Sequence, residues 1–433
     1  MKPAINNTSP DTPNANDYYQ QALTHLDCEK YEEAIVYLNK AIEINPNLAE
    51  AYKNRGFVYG LLDEYEKAIA DYTKVIEMNL QLTYGYNNRG IAYGNLGEQV
   101  PAIADFTKAI EINSQYANAY YNRGVAYRNL GDYKKALADL TKAIEINPQL
   151  AVAYYNRGVA YRKLGESKKA IADYTKAIEI NPQFADAYKN RGDAYNNLDE
   201  SVRAIADYTK AIELNPLLAD AYNNRGIAYN NLGQSEKALA DYNEAIEINP
   251  QDAYAYSNRS VLYDNLGEHE KAIADYTKAI EINPQFTDAY NNRGLVYGKL
   301  REHEKAIADF TKAIEINPQF ADAYNNRGLA YLACDLDKDR EAIADFTKAI
   351  EINPNLAEAY YNRGKLYEDI REDEKAIADF TKAIEINSQD AYAYYNRGVA
   401  YRKLGDYKKA IADYTKAIEI NPQFADAYKN RGG

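Results

Sequence analysis

Asparagine followed by arginine recurs along this 433-residue chain, almost always 34 residues apart, and the pair carries two kinds of chemistry. The asparagines are Asn54, Asn88, Asn122, Asn156, Asn190, Asn224, Asn258, Asn292, Asn326, Asn362, Asn396 and Asn430. A carboxamide has both donors and an acceptor, so a row of them can pair with the N–H and C=O groups of an extended peptide without reading its side chains. The structural alternative is that duplication copied an asparagine that caps or bridges neighbouring helices.

The arginines, from Arg55 to Arg431, stand where a buried charge needs a partner. An aspartate recurs downstream of each complete Asn-Arg unit, from Asp71 to Asp413, so that Arg123 faces Asp139 and Arg157 faces Asp173. In the first repeat Gln21 replaces the arginine and Tyr37 the aspartate. Joint loss of the two points to structural ion pairs. The functional alternative turns some guanidinium heads towards a carboxylate ligand.

Catalytic chemistry finds no constellation. The three histidines, His25, His269 and His303, are scattered, and no Ser, Cys or carboxylate group departs from the repeat in a way that marks a site. The string Asp335-Leu-Asp337-Lys-Asp339 begins like a calcium loop, but Arg340 stands where glycine is needed and Phe346 where the final glutamate belongs. No metal or other cofactor is expected. Cys28 and Cys334 fall where Leu130 and Leu164 sit in other repeats, and read as small buried hydrophobes without a disulfide.

These groups are positioned by a repeating pair of helices. In the unit Ala151 to Phe184, Tyr154, Gly158 and Tyr161 are spaced four and three apart, and Ala170, Tyr174 and Ala177 follow the same rhythm after Gly165. Gly165 suits a helix end that needs positive φ, and Pro182 follows a second helix that it cannot easily continue. Further units begin at Ala15, Ala49, Thr83, Ala117, Ala185, Ala219, Ala253, Thr287, Ala321, Ala357 and Ala391. The unit from Ala321 is two residues longer in its internal turn. A mid-helix glycine costs roughly 1 kcal/mol against alanine, so Gly158 and its equivalents imply close helix approach.

The set Tyr154, Gly158, Tyr161, Ala170, Tyr174, Ala177 and Pro182 resembles the tetratricopeptide repeat, and it recurs over nearly the whole chain. Departures are local: Leu80, Ser114 and Ser388 replace the proline, and Ser260 replaces one glycine. The resemblance implies an all-α solenoid of stacked helix-turn-helix units in a right-handed superhelix. It divides the chain into a disordered leader at 1–14, twelve units over 15–424 and the beginning of another helix at 425–433.

By the same resemblance, the first helix of each unit lines an inner surface, and the expected function is a protein-protein interaction scaffold that binds extended peptides or partner proteins there. Beside Asn88, Asn122, Asn156, Asn190 and Asn224, the stretch Tyr121, Val125, Arg128, Tyr155, Val159, Arg162 and Lys163 is aromatic and basic, and Tyr395, Val399, Arg402 and Lys403 nearly repeat it. Asp186, Asp193, Asp220, Asp264, Asp288 and Asp322 lie between. Acidic and apolar ligand segments suit the basic stretches. The family's two-carboxylate clamp is not matched, since Lys53 is followed by Phe57 and Lys189 by Asp193 at the place where asparagine is required.

A net charge of −13 disfavours nucleic acid, and no run approaches the roughly 20 apolar residues of a membrane span. The leader lacks a secretory pattern, so a cytoplasmic protein is expected. A competing reading is architectural: self-association through an uncapped C-terminal helix, or a fragment of a longer protein. The near-identity of Ala153–Gly192 and Ala393–Gly432 points to internal duplication.

Overall fold

The computed structural model describes residues 13–334 and 338–432. Most of the expected leader, and Asp335 to Asp337 of the acidic string, lie outside the described residues. The chain forms two compact units, Met1–Ala228 and Tyr229–Gly433. The 25 elements among the described residues are all helices. In the first unit they are α1 (Ala15–Asp27), α2 (Tyr31–Ile44), α3 (Ala49–Leu61), α4 (Tyr65–Glu77), α5 (Leu82–Asn95), α6 (Gln99–Ile112), α7 (Ala117–Asn129), α8 (Tyr133–Ile146), α9 (Ala151–Lys163), α10 (Ser167–Ile180), α11 (Ala185–Asn196) and α12 (Ser201–Leu214). The division falls inside α13 (Ala219–Asn231), and twelve more helices run from α14 (Ser235–Ile248) to α25 (Ala425–Gly432). Each unit is an all-α stack of helix-turn-helix repeats.

Two kinds of turn set the rhythm. Within a repeat, Gly165 closes the first helix at φ +78°. Asp63, Asp199, Arg301 and Arg371 hold the same left-handed geometry without glycine. Between repeats, the residue before proline is pushed to extended backbone, as at Asn147 with φ −128°. The Asn147 side chain also accepts from the Gln149 N–H at 3.1 Å. Asn113 makes the equivalent turn before Ser114, so proline is not essential there. Leu80 behaves differently. Asn79 and Gln81 around it take φ of 56° and 50°, α4 ends at Glu77, and α5 begins at Leu82, one residue before the expected repeat start.

The core lies between successive helices and is built from alanine, glycine and one large side chain per repeat, a ring in most repeats and leucine at Leu38 and Leu140. Ala170, Tyr174 and Ala177 on α10 are fully buried. Tyr174 packs with Ala194 of the next repeat, beside Tyr155, Val159 and Tyr161, so each second helix serves two first helices. Burying such a ring stabilises by about 1.5–3 kcal/mol. The cost of the mid-helix glycine is explained by this ring: a Cβ on Gly158 would lie 2.7 Å from Tyr174 Cε1. Phe106 and Phe310 occupy the same place over Gly90 and Gly294.

A charged brace crosses this core. Arg157 Nε donates to Asp173 Oδ2 and Nη2 to Oδ1, both at 2.8 Å, while Nη1 donates to Thr141 Oγ1 at 3.1 Å. The guanidinium on α9 therefore holds α10 of its own repeat and α8 of the repeat before. Arg123 does the same with Asp139 and Thr107. The fork recurs from Arg55 with Asp71 to Arg397 with Asp413. The Asp173 side chain is 9% exposed and that of Arg157 17%. The hydrogen bond to Asp173 outweighs desolvation and holds the Arg157 guanidinium above its usual basicity. Its plane also lies over the Tyr154 ring, 5.5 Å from the centroid. In the first repeat Tyr37 instead stacks with His25 at 4.9 Å.

The cysteines are not buried as expected: Cys28 is exposed and Cys334 half-exposed, both as free thiols. Their position closes the first helix, where Leu130 and Leu164 are also exposed. The hydrophobic character of that site in other repeats does not signify burial.

Two outcomes follow from this packing. Gly158→Ala gains about 1 kcal/mol of helix propensity, yet it should lower stability by about 1–3 kcal/mol by displacing Tyr174, read as an earlier urea midpoint. Arg157→Ala, which leaves Asp173 charged and buried, should cost about 3 kcal/mol. The double variant Arg157→Leu with Asp173→Leu should be more stable than Arg157→Ala alone in thermal unfolding.

Candidate functional site

The recurring asparagines lie along the first helices, and their amide nitrogens turn inward. Asn156 Nδ2 donates to the Val152 carbonyl at 2.7 Å and to Tyr121 Oη at 3.3 Å. Asn190 Nδ2 donates to the Asp186 carbonyl at 3.0 Å and to Tyr155 Oη at 2.8 Å. Asn122 reaches Asn87 Oδ1 at 3.0 Å. The partner is the residue 35 positions earlier, just ahead of the preceding repeat's own asparagine.

That partner's identity decides the bond. Where it is tyrosine or asparagine the amide crosses to it, as at Asn54 with Tyr19, Asn326 with Asn291 and Asn396 with Tyr361. Where it is Lys53, Asn88 stays on its own helix and donates to the Tyr84 carbonyl at 3.1 Å. Where it is Lys189, Asn224 donates to Asp193 Oδ1 at 3.0 Å. The amide donors thus join neighbouring first helices or close a turn of their own. The Oδ1 atoms of Asn88, Asn122 and Asn190 carry no hydrogen bond among the described residues. Asn156 Oδ1 accepts from Arg128 Nη1.

Around Asn190 lies a cleft of about 490 Å³. Arg128 of α7, Tyr155, Val159 and Arg162 of α9, and Asp186 and Lys189 of α11 line it, with Leu217, Leu218, Ala219 and Asp220 at the entry to α13. Five of the expected positions, Arg128, Tyr155, Val159, Arg162 and Asn190, meet here. Lys163 does not line the cleft, and Tyr121 lines a smaller pocket beside Asn122.

Asp193, which does not itself line the cleft, ties down lining side chains from behind. Most other repeats have an aliphatic residue at that place, such as Val159, while Phe57 and Lys365 are the exceptions. Asp193 instead accepts from Lys189 Nζ at 3.1 Å, Tyr208 Oη at 3.0 Å and Asn224, with Arg162 Nη1 at 3.9 Å. Burial, then the Asp193 carboxylate, pushes the Tyr208 phenol up, so it remains a donor. Desolvation, then Asp186, likewise raises Tyr155. Arg162 Nε is buried without a hydrogen-bond partner. Among the described residues, Arg128 donates only to the neutral Asn156 and Asn129. In the sequence Asp193 is one acid among several; its being the one acid in a mostly aliphatic column is the signal for its role.

The second basic stretch differs in its surroundings. Lys403 Nζ lies 3.0 Å from Glu368 Oε1, which is also 3.0 Å, through Oε2, from Lys365. Asp264 pairs with Lys299 at 2.7 Å in the same register. The residue 35 before Lys163 is Arg128, so Lys163 has a cation where Lys403 has a carboxylate. Among the described residues, no group of three or more His, Cys, Asp or Glu could hold a metal ion, and no helix is long and apolar enough to cross a membrane.

Comparison with known proteins agrees with the repeat architecture. The tetratricopeptide repeat pattern matches residues 49–80, 117–150, 151–184, 185–216, 219–252, 287–320 and 391–424. A second TPR pattern matches 22–63, 101–131, 262–300, 334–370 and 372–405. No curated protein matches the chain. Among solved structures, the Cut9–Hcn1 hetero-tetramer of APC/C is 16% identical over 96% of both chains, with a TM-score of 0.49. YrrB, described as a TPR protein with an unusual peptide-binding site, is 29% identical over 44% of this chain and 98% of its own, with a TM-score of 0.38. A repeat protein from Parabacteroides merdae is 25% identical over 58% of this chain and 99% of its own, with a TM-score of 0.47. With the helix pairs, the buried small residues and more than half of the sequence under one family pattern, the chain belongs to the tetratricopeptide repeat family.

Proposed function

We propose that this protein is a non-catalytic interaction scaffold that holds extended segments of partner proteins along its first-helix face. One observation carries the reading. The cleft beside Asn190 brings Arg128, an arginine without a carboxylate partner among the described residues, together with exposed Leu217. Arg128 suits an acidic side chain, and Leu217 an apolar neighbour.

Asp186 and Asp220 temper the charge. They share the cleft with Arg128, Arg162 and Lys189, so a single acidic group fits better than an acidic run. Asn88, Asn122 and Asn190 contribute to this binding through Oδ1, as acceptors for ligand backbone N–H groups. Their amide donors are engaged within the protein.

Selection of random displayed peptides against the full chain and against Arg128→Gln, in parallel at low and high salt, tests this. Peptides with one acidic residue beside an aliphatic one should be enriched on the parent protein. Their affinity should fall about tenfold on Arg128→Gln, and more modestly with added salt. Enrichment that is unchanged by Arg128→Gln would remove the cleft from the binding face. Absence of enrichment against folded protein would defeat the reading as a whole.

A further inference from the structure

Two pockets, the first largely apolar and the second of mixed apolar and amide lining, lie one repeat apart on the first-helix face of the N-terminal unit. The first, about 220 Å³ between α3 and α5, has Phe57, Leu61 and Ile91 in its walls. The second, about 140 Å³ between α5 and α7, shares Ile91 and adds Val125. Phe57 is 48% and Ile91 37% exposed. Asn88 lines the first pocket and Asn122 the second, each with its nitrogen bonded internally and its Oδ1 carrying no hydrogen bond among the described residues. One further step along, Arg128 extends from α7 to Asn156 on α9.

The spacing restricts what can lie across these steps. α3, α5 and α7 touch in succession. Touching helices lie about 8–10 Å apart axis to axis. A ligand must therefore offer the same face, with an apolar side chain and a backbone N–H, about every 8–10 Å. A polyproline II chain returns to one face every three residues after rising about 9 Å. A β-strand returns after two residues and about 6.8 Å, which falls short. An α-helix spends its backbone N–H groups internally and has none for Asn88 or Asn122.

We infer that this face holds a partner segment in polyproline II conformation, with apolar side chains three residues apart and an acidic side chain three residues beyond. The apolar groups enter the two pockets that share Ile91, the acid meets Arg128, and Asn88 and Asn122 accept backbone N–H groups. The inference rests on the groove reading above and adds its register. A polyproline II segment loses little conformational entropy on binding, which suits shallow pockets.

Fluorescence anisotropy on the full chain with labelled peptides tests the register. The probes are Leu-Pro-Ser-Leu-Pro-Ser-Glu, its reversed sequence, and the same composition with the leucines two apart, Leu-Ser-Leu-Pro-Glu-Pro-Ser. One of the two three-residue-period peptides should bind at least tenfold tighter than the two-residue-period peptide. Ile91→Ser should weaken that binding at least tenfold while the far-ultraviolet helical signal stays unchanged. Equal or tighter binding of the two-residue-period peptide overturns the inference. So does failure of all three: if display-selected peptides still bind, only the register fails, and if they do not, the groove reading falls with it.

Discussion

The stack depends on a guanidinium placed where three helices meet. Within one repeat, Arg157 could be satisfied by Asp173 alone, but its third nitrogen reaches Thr141 on the preceding repeat. An arginine of this kind, as at Arg123, Arg157 and Arg397, therefore joins repeats as well as the helices of one repeat. A half-buried charge of this kind is costly when unpaired and directional when paired. The planar fork fixes the angle of the second helix against the first, and this angle places Tyr174 over Gly158. Arg259 uses Asn243 in place of threonine, so the brace needs an acceptor and not a particular side chain.

The interaction face inherits its order from this packing. Because the second helices supply the carboxylate and threonine acceptors of the brace and the most deeply buried side chain, the first helices, tied down through their arginines, are left to present their remaining residues in register. The amide bridges from Asn156 to Tyr121 and from Asn190 to Tyr155 tie those first helices to one another. A face held by bridges at most of its steps changes shape little when occupied, which favours ligands that adapt to it over ligands that reshape it.

The repeat, the helix pairs and the glycine contacts were legible because they depend on spacings of three, four and 34 within the chain. The spacing of Arg157 and Asp173 was legible for the same reason. The threonine acceptor was less so, since Thr141 looks like one more polar residue on a helix until the preceding repeat is laid against it. The inward bonding of Asn156 and Asn190 was hidden by a stronger cause. It depends on a partner 35 residues away whose identity varies, and the carboxamide's donors could be assigned only with helix geometry in hand. Cys28 misled because an aliphatic column was taken to mean a buried one, whereas Leu130 and Leu164 at that place are exposed. The shifted start of α5 was not legible from Leu80 alone, given that Ser114 keeps the ordinary linker without proline.

The contrast between Lys163 and Lys403 reaches beyond either residue. Two nearly identical forty-residue stretches carry them, yet Glu368 neutralises one and Arg128 precedes the other. The surface chemistry of a repeat is thus set partly by its upstream neighbour. A duplicated repeat acquires a new electrostatic character by being inserted after a different one, with no substitution of its own. Reordering modules is then a means of diversifying recognition, and the unit that carries specificity is a junction between repeats.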